Sequence, residues 1–223
     1  MHLSEADHAA VTQAVSRAEL TTDGEIVTVV AARSDRYGDV AAYGAVLAML
    51  SVLALLSASP GIAQWLYLAT AGDWNASVPA GGLFTVALLL LVAAFLLARA
   101  LLASMRLRLL LTPQATRARR VHRRALELFR VAVEGRTRAA TGVLLYVSLA
   151  ERRAEIVADR AIHARVDHAV WGDAMQALIS ALRDGRAGEG MAEAVSHIGA
   201  VLAEHFPRRG DDLNELPDRL IEM

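Results

Sequence analysis

Apolar positions follow different patterns in successive parts of the chain. Val11, Ala14, Val15, Ala18 and Leu20 recur at helical spacing, which predicts a helix with one buried face. Ser4, with Asp7 three residues on, supplies its start signal. Thr21-Thr22-Asp23-Gly24 reads as a turn, and Glu25 to Ala32, rich in Ile and Val, reads as a buried strand. The pattern then changes. Ala41 to Ala58 is an uncharged run close to the ~20 residues that cross ~30 Å of hydrocarbon. Ser59-Pro60-Gly61 breaks it. A second run, Gly82 to Ala98, extends to Ala103 if Arg99 reaches to an interface. Trp65, Tyr67 and Trp74 lie between the two runs, as interfacial aromatics would.

Helical spacing returns after Thr112-Pro113. Gln114 to Val133 places Val121, Ala125, Leu128, Phe129 and Ala132 on one face and a row of arginines on the other. Thr141 to Leu149 and Ala154 to Ala158, separated by Glu151-Arg152-Arg153, read as a β-hairpin. Asp167 to Leu182 and Met191 to His205 are amphipathic helices, and the tail is polar and turn-rich. The chain thus divides into 1–40, a helix and a strand; 41–103, an apolar hairpin; 104–206, helices and a β-hairpin; and 207–223, a polar tail. One apolar strand cannot satisfy its edges alone, and a β-hairpin also needs a sheet partner. The economical fold is α/β, a small central β-sheet flanked by helices, with the strand of 1–40 joining the hairpin of 104–206 and a two-helix transmembrane hairpin inserted between them.

Composition sharpens this division. Hydrophobic residues make up 55% of the chain, yet Asp73 is the only formal charge from Val40 to Ala98. The start of the sequence has neither the basic nor the apolar stretch of a secretory signal. Arginines cluster after the second run, at Arg99, Arg106 and Arg108 and then through α-helical sequence, while Pro60 to Gly81 has none. The positive-inside rule then expects two spans with both termini in the cytoplasm. The net charge of −1 and the lack of an aromatic platform beside the arginines exclude a nucleic-acid binder. Without cysteine there is no disulfide, iron–sulfur cluster or thiolate metal site.

Two groups of residues are candidates for chemistry. Asp35 and Asp39 follow the first strand, Asp159 follows the third, and Asp167 precedes a helix. Converging on one sheet edge, they would hold Ca²⁺ or Mg²⁺ through oxygen ligands; apart, they are solvated turns and caps. Arg117, Arg119, Arg120, Arg123 and Arg124 are placed to meet anionic lipid head groups, or serve only to orient the spans. The scattered histidines, including His163, His197 and His205, lack zinc-site spacing. The acceptors Asp211-Asp212-Leu213-Asn214-Glu215 lack the glycine and terminal glutamate of an EF-hand loop.

The chain resembles the TPM domain family. The resemblance lies in Leu3-Ser4-Glu5-Ala6-Asp7, Ala18-Glu19, Thr22-Asp23-Gly24-Glu25-Ile26-Val27, Thr141 to Ser148, Arg153 to Asp159, Trp171 and Asn214-Glu215-Leu216-Pro217. It implies an α/β sandwich. Family members include thylakoid-lumen proteins linked to acid phosphatase activity and photosystem II repair, and an auxiliary subunit of a nematode acetylcholine receptor. Such range leaves function to be argued from the site. Two expectations follow. One is a membrane-anchored interaction, assembly or quality-control module that meets membrane lipids and other membrane proteins. The other is a divalent-metal-dependent acid phosphatase.

Overall fold

A computed structural model describes residues 3–72, 74, 77–134, 140–209 and 215–223. It divides into two compact units, Met1–Asp35 with Gln114–Met223, and Arg36–Pro113.

The first unit is built on a four-stranded sheet of order β3-β2-β1-β4. β1 (Glu25–Ala31) runs parallel to β2 (Gly142–Ser148), and every residue is paired, from Glu25 with Gly142 to Ala31 with Ser148. β3 (Arg153–Ala158) returns antiparallel to β2, and β4 (Ile221–Glu222) lies parallel to β1 at Val29 and Val30. Both faces of β1 and β2 are buried, which explains their unbroken apolar runs. Alternation along β1 sends Ile26 and Val30 to one face, and Val27, Val29 and Ala31 to the other.

Three helices cover the first face. α1 (Glu5–Glu19) contributes Val11, Val15 and Ala18. α8 (Gly172–Arg183) contributes Leu178 and Leu182, and α9 (Ala187–His205) contributes Met191, Val195, Ile198 and Leu202. α1 starts at a capping box in which the Ser4 hydroxyl accepts from the Asp7 N–H while the Asp7 carboxylate accepts from the Ser4 N–H at 2.9 Å. Gly199 lets α1 and α9 approach closely: a Cβ there would lie 2.4 Å from that of Ala18. α6 (Gln114–Ala132) covers the other face with Val121, Ala125 and Phe129. A four-residue helix, α7 (Arg160–His163), and a 3-10 turn (His168–Trp171) connect β3 to α8.

The second unit is helical: α2 (Gly38–Ala58), α3 (Pro60–Ala71), α4 (Ala80–Leu101) and α5 (Met105–Leu111). α2 and α4 are both long and apolar enough to cross a membrane. At 22 residues and ~1.5 Å per residue, α4 is about 33 Å long, and none of its residues is buried. Ser59-Pro60-Gly61 does end α2, but α3 begins at once, where the sequence predicts only an interfacial connection. Proline fits the first turn of a helix, because its missing N–H has no intrahelical partner there. Gly72, at φ +72°, closes α3 in the left-handed conformation that glycine adopts freely.

The end of the chain also departs from expectation. The sequence predicts a polar tail over 207–223, yet Leu216 and Leu220 are buried and β4 extends the sheet. His8 Nε2 lies 3.0 Å from Glu222 Oε2, which ties this last strand to α1. Two residues of strand among Asp, Glu and Arg give no readable period.

Glu19, at the end of α1, turns back to the sheet, where its Oε1 accepts the Ile26 N–H at 2.9 Å. Burial pushes its carboxyl up to about 8; the Ile26 N–H opposes that shift, and repulsion from Glu25 and Asp218 adds to it. Folded Glu19 therefore keeps its proton to higher pH than the unfolded chain does. Stability should fall as pH rises from about 4.5 to about 8, because the unfolded state binds fewer protons across that window. Glu19→Gln should match the wild type near the lower limit and exceed it at the upper one, as read by denaturant midpoints in detergent. Equal midpoints at both limits would contradict this. Separately, Ile26 is 1% exposed and faces the α1–α9 core. Ile26→Asp should cost upwards of about 3 kcal/mol through an unpaired buried charge. Limited proteolysis should then expose β2 and β3, although both lie more than a hundred residues away in sequence.

Candidate functional site

Parallel pairing brings the ends of β1 and β2 to the same edge of the sheet, and the polar residues beyond them form a connected group. The Ser34 N–H donates to Glu151 Oε1 at 3.1 Å, and the Ser34 hydroxyl bonds that of Tyr146 at 2.9 Å. The Ser148 hydroxyl donates to Glu151 Oε2. Glu151 is 6% exposed, so these donors replace the water its carboxylate has lost. Burial pushes the Tyr146 hydroxyl up, with the Ser34 bond opposing the shift. Beside this group, Asp35 Oδ2 accepts from Arg120 Nη1 at 2.9 Å, and Arg123 stands 4.0 Å away. By sequence alone, Glu151 belongs to an ordinary polar turn. Its role depends on the parallel register, which no local pattern encodes.

The opposite edge is also rich in carboxylates, and they too serve the backbone. Asp159 Oδ2 accepts the Gly142 N–H at 3.2 Å. Glu25 accepts the N–H groups of Glu215 and Leu216 at 3.1 and 3.2 Å, holding the returning C-terminal segment. Thr141 Oγ1 donates to the Asp23 carbonyl at 3.0 Å.

This geometry corrects the expectation that Asp35, Asp39, Asp159 and Asp167 line one edge. Asp35 follows the end of β1. The hairpin reverses the chain, so Asp159, after β3, lies beside Gly142 at the other edge. Seven-residue strands at ~3.3 Å per residue separate the edges by about 20 Å. Asp167 caps the 3-10 turn by accepting the Ala169 N–H at 3.0 Å. Asp39 lies in the first turn of α2, in the other unit. Among the described residues, no group of three or more His, Asp or Glu side chains could hold a metal ion. The acidic run Asp211 to Asn214 lies outside the described residues.

Arg117, Arg119, Arg120, Arg123 and Arg124 share α6 but not their surroundings. Arg120 is largely covered and paired with Asp35. Arg123 and Arg124 reach Glu127 at 4.0 and 3.3 Å, and Arg119 Nη2 is 3.4 Å from Thr116 Oγ1. Arg117 is half-buried, and its Nε has no hydrogen-bond partner. On the same helix, His122 Nδ1 lies 3.2 Å from Glu155 of β3.

The TPM domain family matches residues 103–201, which hold α6, β2, β3, α8 and most of α9. Among solved structures, the NMR structure of the BA42 protein from the psychrophilic bacterium Bizionia argentinensis is similar, with a TM-score of 0.56 and 16% identity, covering 100% of this chain and 97% of that one. At that identity the likeness concerns the fold. No curated protein matches the chain. The family match thus falls on the strands and helices that form the sheet's second half, and residues 103–201 are the part of the chain that matches the TPM domain.

Proposed function

We propose that the chain is a two-span membrane protein whose TPM domain, held on the cytoplasmic side, is an interaction module acting on other membrane proteins. The observation that carries this reading is the insertion itself. Residues 36–113 leave and re-enter one sheet, between two strands that pair along their whole length. Both ends of an inserted hairpin must then return to the same side, which requires an even number of crossings; α2 and α4 supply two. Their exposed side chains, among them Leu47, Leu50, Phe84, Leu88, Leu89 and Leu96, suit lipid or partner helices and not water. The arginines that follow α4, set against the arginine-free stretch from Pro60 to Gly81, favour a cytoplasmic domain. Exposed Arg119 and Arg123 and half-buried Arg124 on α6 are suited to anionic head groups.

The module reading draws on the domain's surface. β3 is an edge strand, with one neighbour in the sheet, and so offers backbone groups to a partner strand. The carboxylates that an enzyme would draw to one metal instead hold backbone N–H groups or an arginine at separate places.

Two measurements test the proposal. Reporter fusions at Gly72 and at the C-terminus should report opposite sides of the membrane; two cytoplasmic signals would overturn the two-span reading. Cross-linking in native membranes, followed by purification in detergent, should recover a defined set of membrane proteins. Ile156→Pro, which removes a β3 N–H that faces away from β2, should reduce that set without loss of expression. Metal-dependent hydrolysis of phosphate esters by the purified chain, with no such recovery, would replace the module with the phosphatase.

A further inference from the structure

Behind the α6 arginines lies a cavity of about 350 Å³ in the TPM domain. Four of its lining residues are arginines: Arg117 from α6, Arg152 from the β2–β3 turn, Arg153 from the start of β3, and Arg183 from the last turn of α8. Gln114 at the start of α6, Glu151 and Ile179 complete the lining.

We propose that this cavity is a binding site for a phosphate group, held by Arg117, Arg152, Arg153 and Arg183. Charge is the first support. Among the described residues, the one carboxylate in the wall belongs to Glu151, and its two oxygens already accept the Ser34 N–H and the Ser148 hydroxyl. Four guanidinium groups against one carboxylate leave a strongly positive wall, and a dianion balances it better than a single carboxylate would. The second support is the lack of acceptors. Arg120, Arg123, Arg124, Arg186 and Arg209 of this domain each face a carboxylate. Among the described residues, the side chains of the four cavity arginines have no ion pair or hydrogen bond, and the Nε of Arg117 is buried without a partner. A buried donor left in that state is costly, and an entering oxyanion would remove the cost.

Shape and setting favour phosphate. Guanidinium forks bind phosphate oxygens in pairs, and a tetrahedral group can meet several forks from different directions. The cavity opens beside the start of α6, a nineteen-residue helix with no acidic side chain in its first turn, so the positive end of its dipole is unopposed. The turn holds Arg152 at φ +50°, a conformation costly for any residue with a Cβ, and this geometry presents neighbouring arginines to one cavity. Among the described residues, no aromatic side chain lines the cavity to stack a nucleobase. The phosphate could belong to a lipid head group or to a soluble phosphate ester. The chain distance is short for the former, since Gln114 follows α5 by three residues.

The test uses the full chain in neutral detergent. Inorganic phosphate should raise its melting temperature in a saturable manner, beyond the effect of chloride at equal ionic strength, because a ligand selective for the folded state stabilises it. Arg152→Gln and Arg183→Gln alter exposed side chains and should leave the phosphate-free melt unchanged. Each should weaken the phosphate dependence by about tenfold, as expected for loss of one charged hydrogen-bonding partner. Arg130→Gln, an exposed change elsewhere on α6, should not. In nanodiscs of phosphatidylcholine the shift should persist. Its loss on adding phosphatidic acid would assign the site to a lipid head group, and its retention would assign it to a soluble ester. No phosphate-specific shift in detergent, or an equal shift in Arg152→Gln, Arg183→Gln and Arg130→Gln, would overturn the site.

Discussion

The seven-residue parallel pairing of β1 with β2 is the constraint on which the sheet-bearing unit depends. β1 is buried throughout, and a buried strand must satisfy the hydrogen bonds on both of its edges. β2 satisfies one edge along its whole length, and β4 satisfies part of the other. Parallel strands need a crossover between them. Here the crossover carries the apolar hairpin, α5 and α6, and α6 covers a face of the sheet whose formation it makes possible. The apolar hairpin is therefore an insertion in a connection the sheet already requires, and not an appendage to a finished domain.

The same pairing decides where the charges go. It assembles Ser34, Tyr146, Ser148 and Glu151 at one edge, and Glu19, Glu25 and Asp159 at the other. In both places carboxylates replace lost water with backbone and hydroxyl donors, which ties separate segments to the sheet. Glu25 secures the returning C-terminal segment, Asp159 the start of β2, and Glu151 the chain leaving β1. Arginines are distributed unevenly around this frame. Arg119, Arg123 and Arg124 have carboxylate or hydroxyl neighbours, while Arg117, Arg152, Arg153 and Arg183 line a cavity whose wall also holds Glu151, already engaged by Ser34 and Ser148.

How much of this is legible in the sequence depends on the range of each signal. Helical period marks α1, α6, α8 and α9; β-branched runs mark β1 and β2; and uncharged length marks α2 and α4. Each signal lies within one element. The need of β1 for a partner also follows from its composition, so the merging of the two charged parts into one sheet can be reasoned out. Register and direction cannot. The four aspartates look alike as loop residues, and only the antiparallel return of β3 parts Asp159 from Asp35. β4 escapes notice because two residues have no period, and α3 because proline and glycine mark a helix start as well as a break. The cavity arginines read as a turn and a helix end, since their convergence is a tertiary fact.

Amide hydrogen exchange on the full chain in detergent measures the shared sheet most directly. If β1 and β2 are neighbours in one cooperative unit, the amides of Ile26 to Val30 and of Val143 to Val147 should exchange with the same high protection and lose it together as denaturant is added. Rapid exchange of Ile26 to Val30 while Val143 to Val147 stay protected would contradict the account.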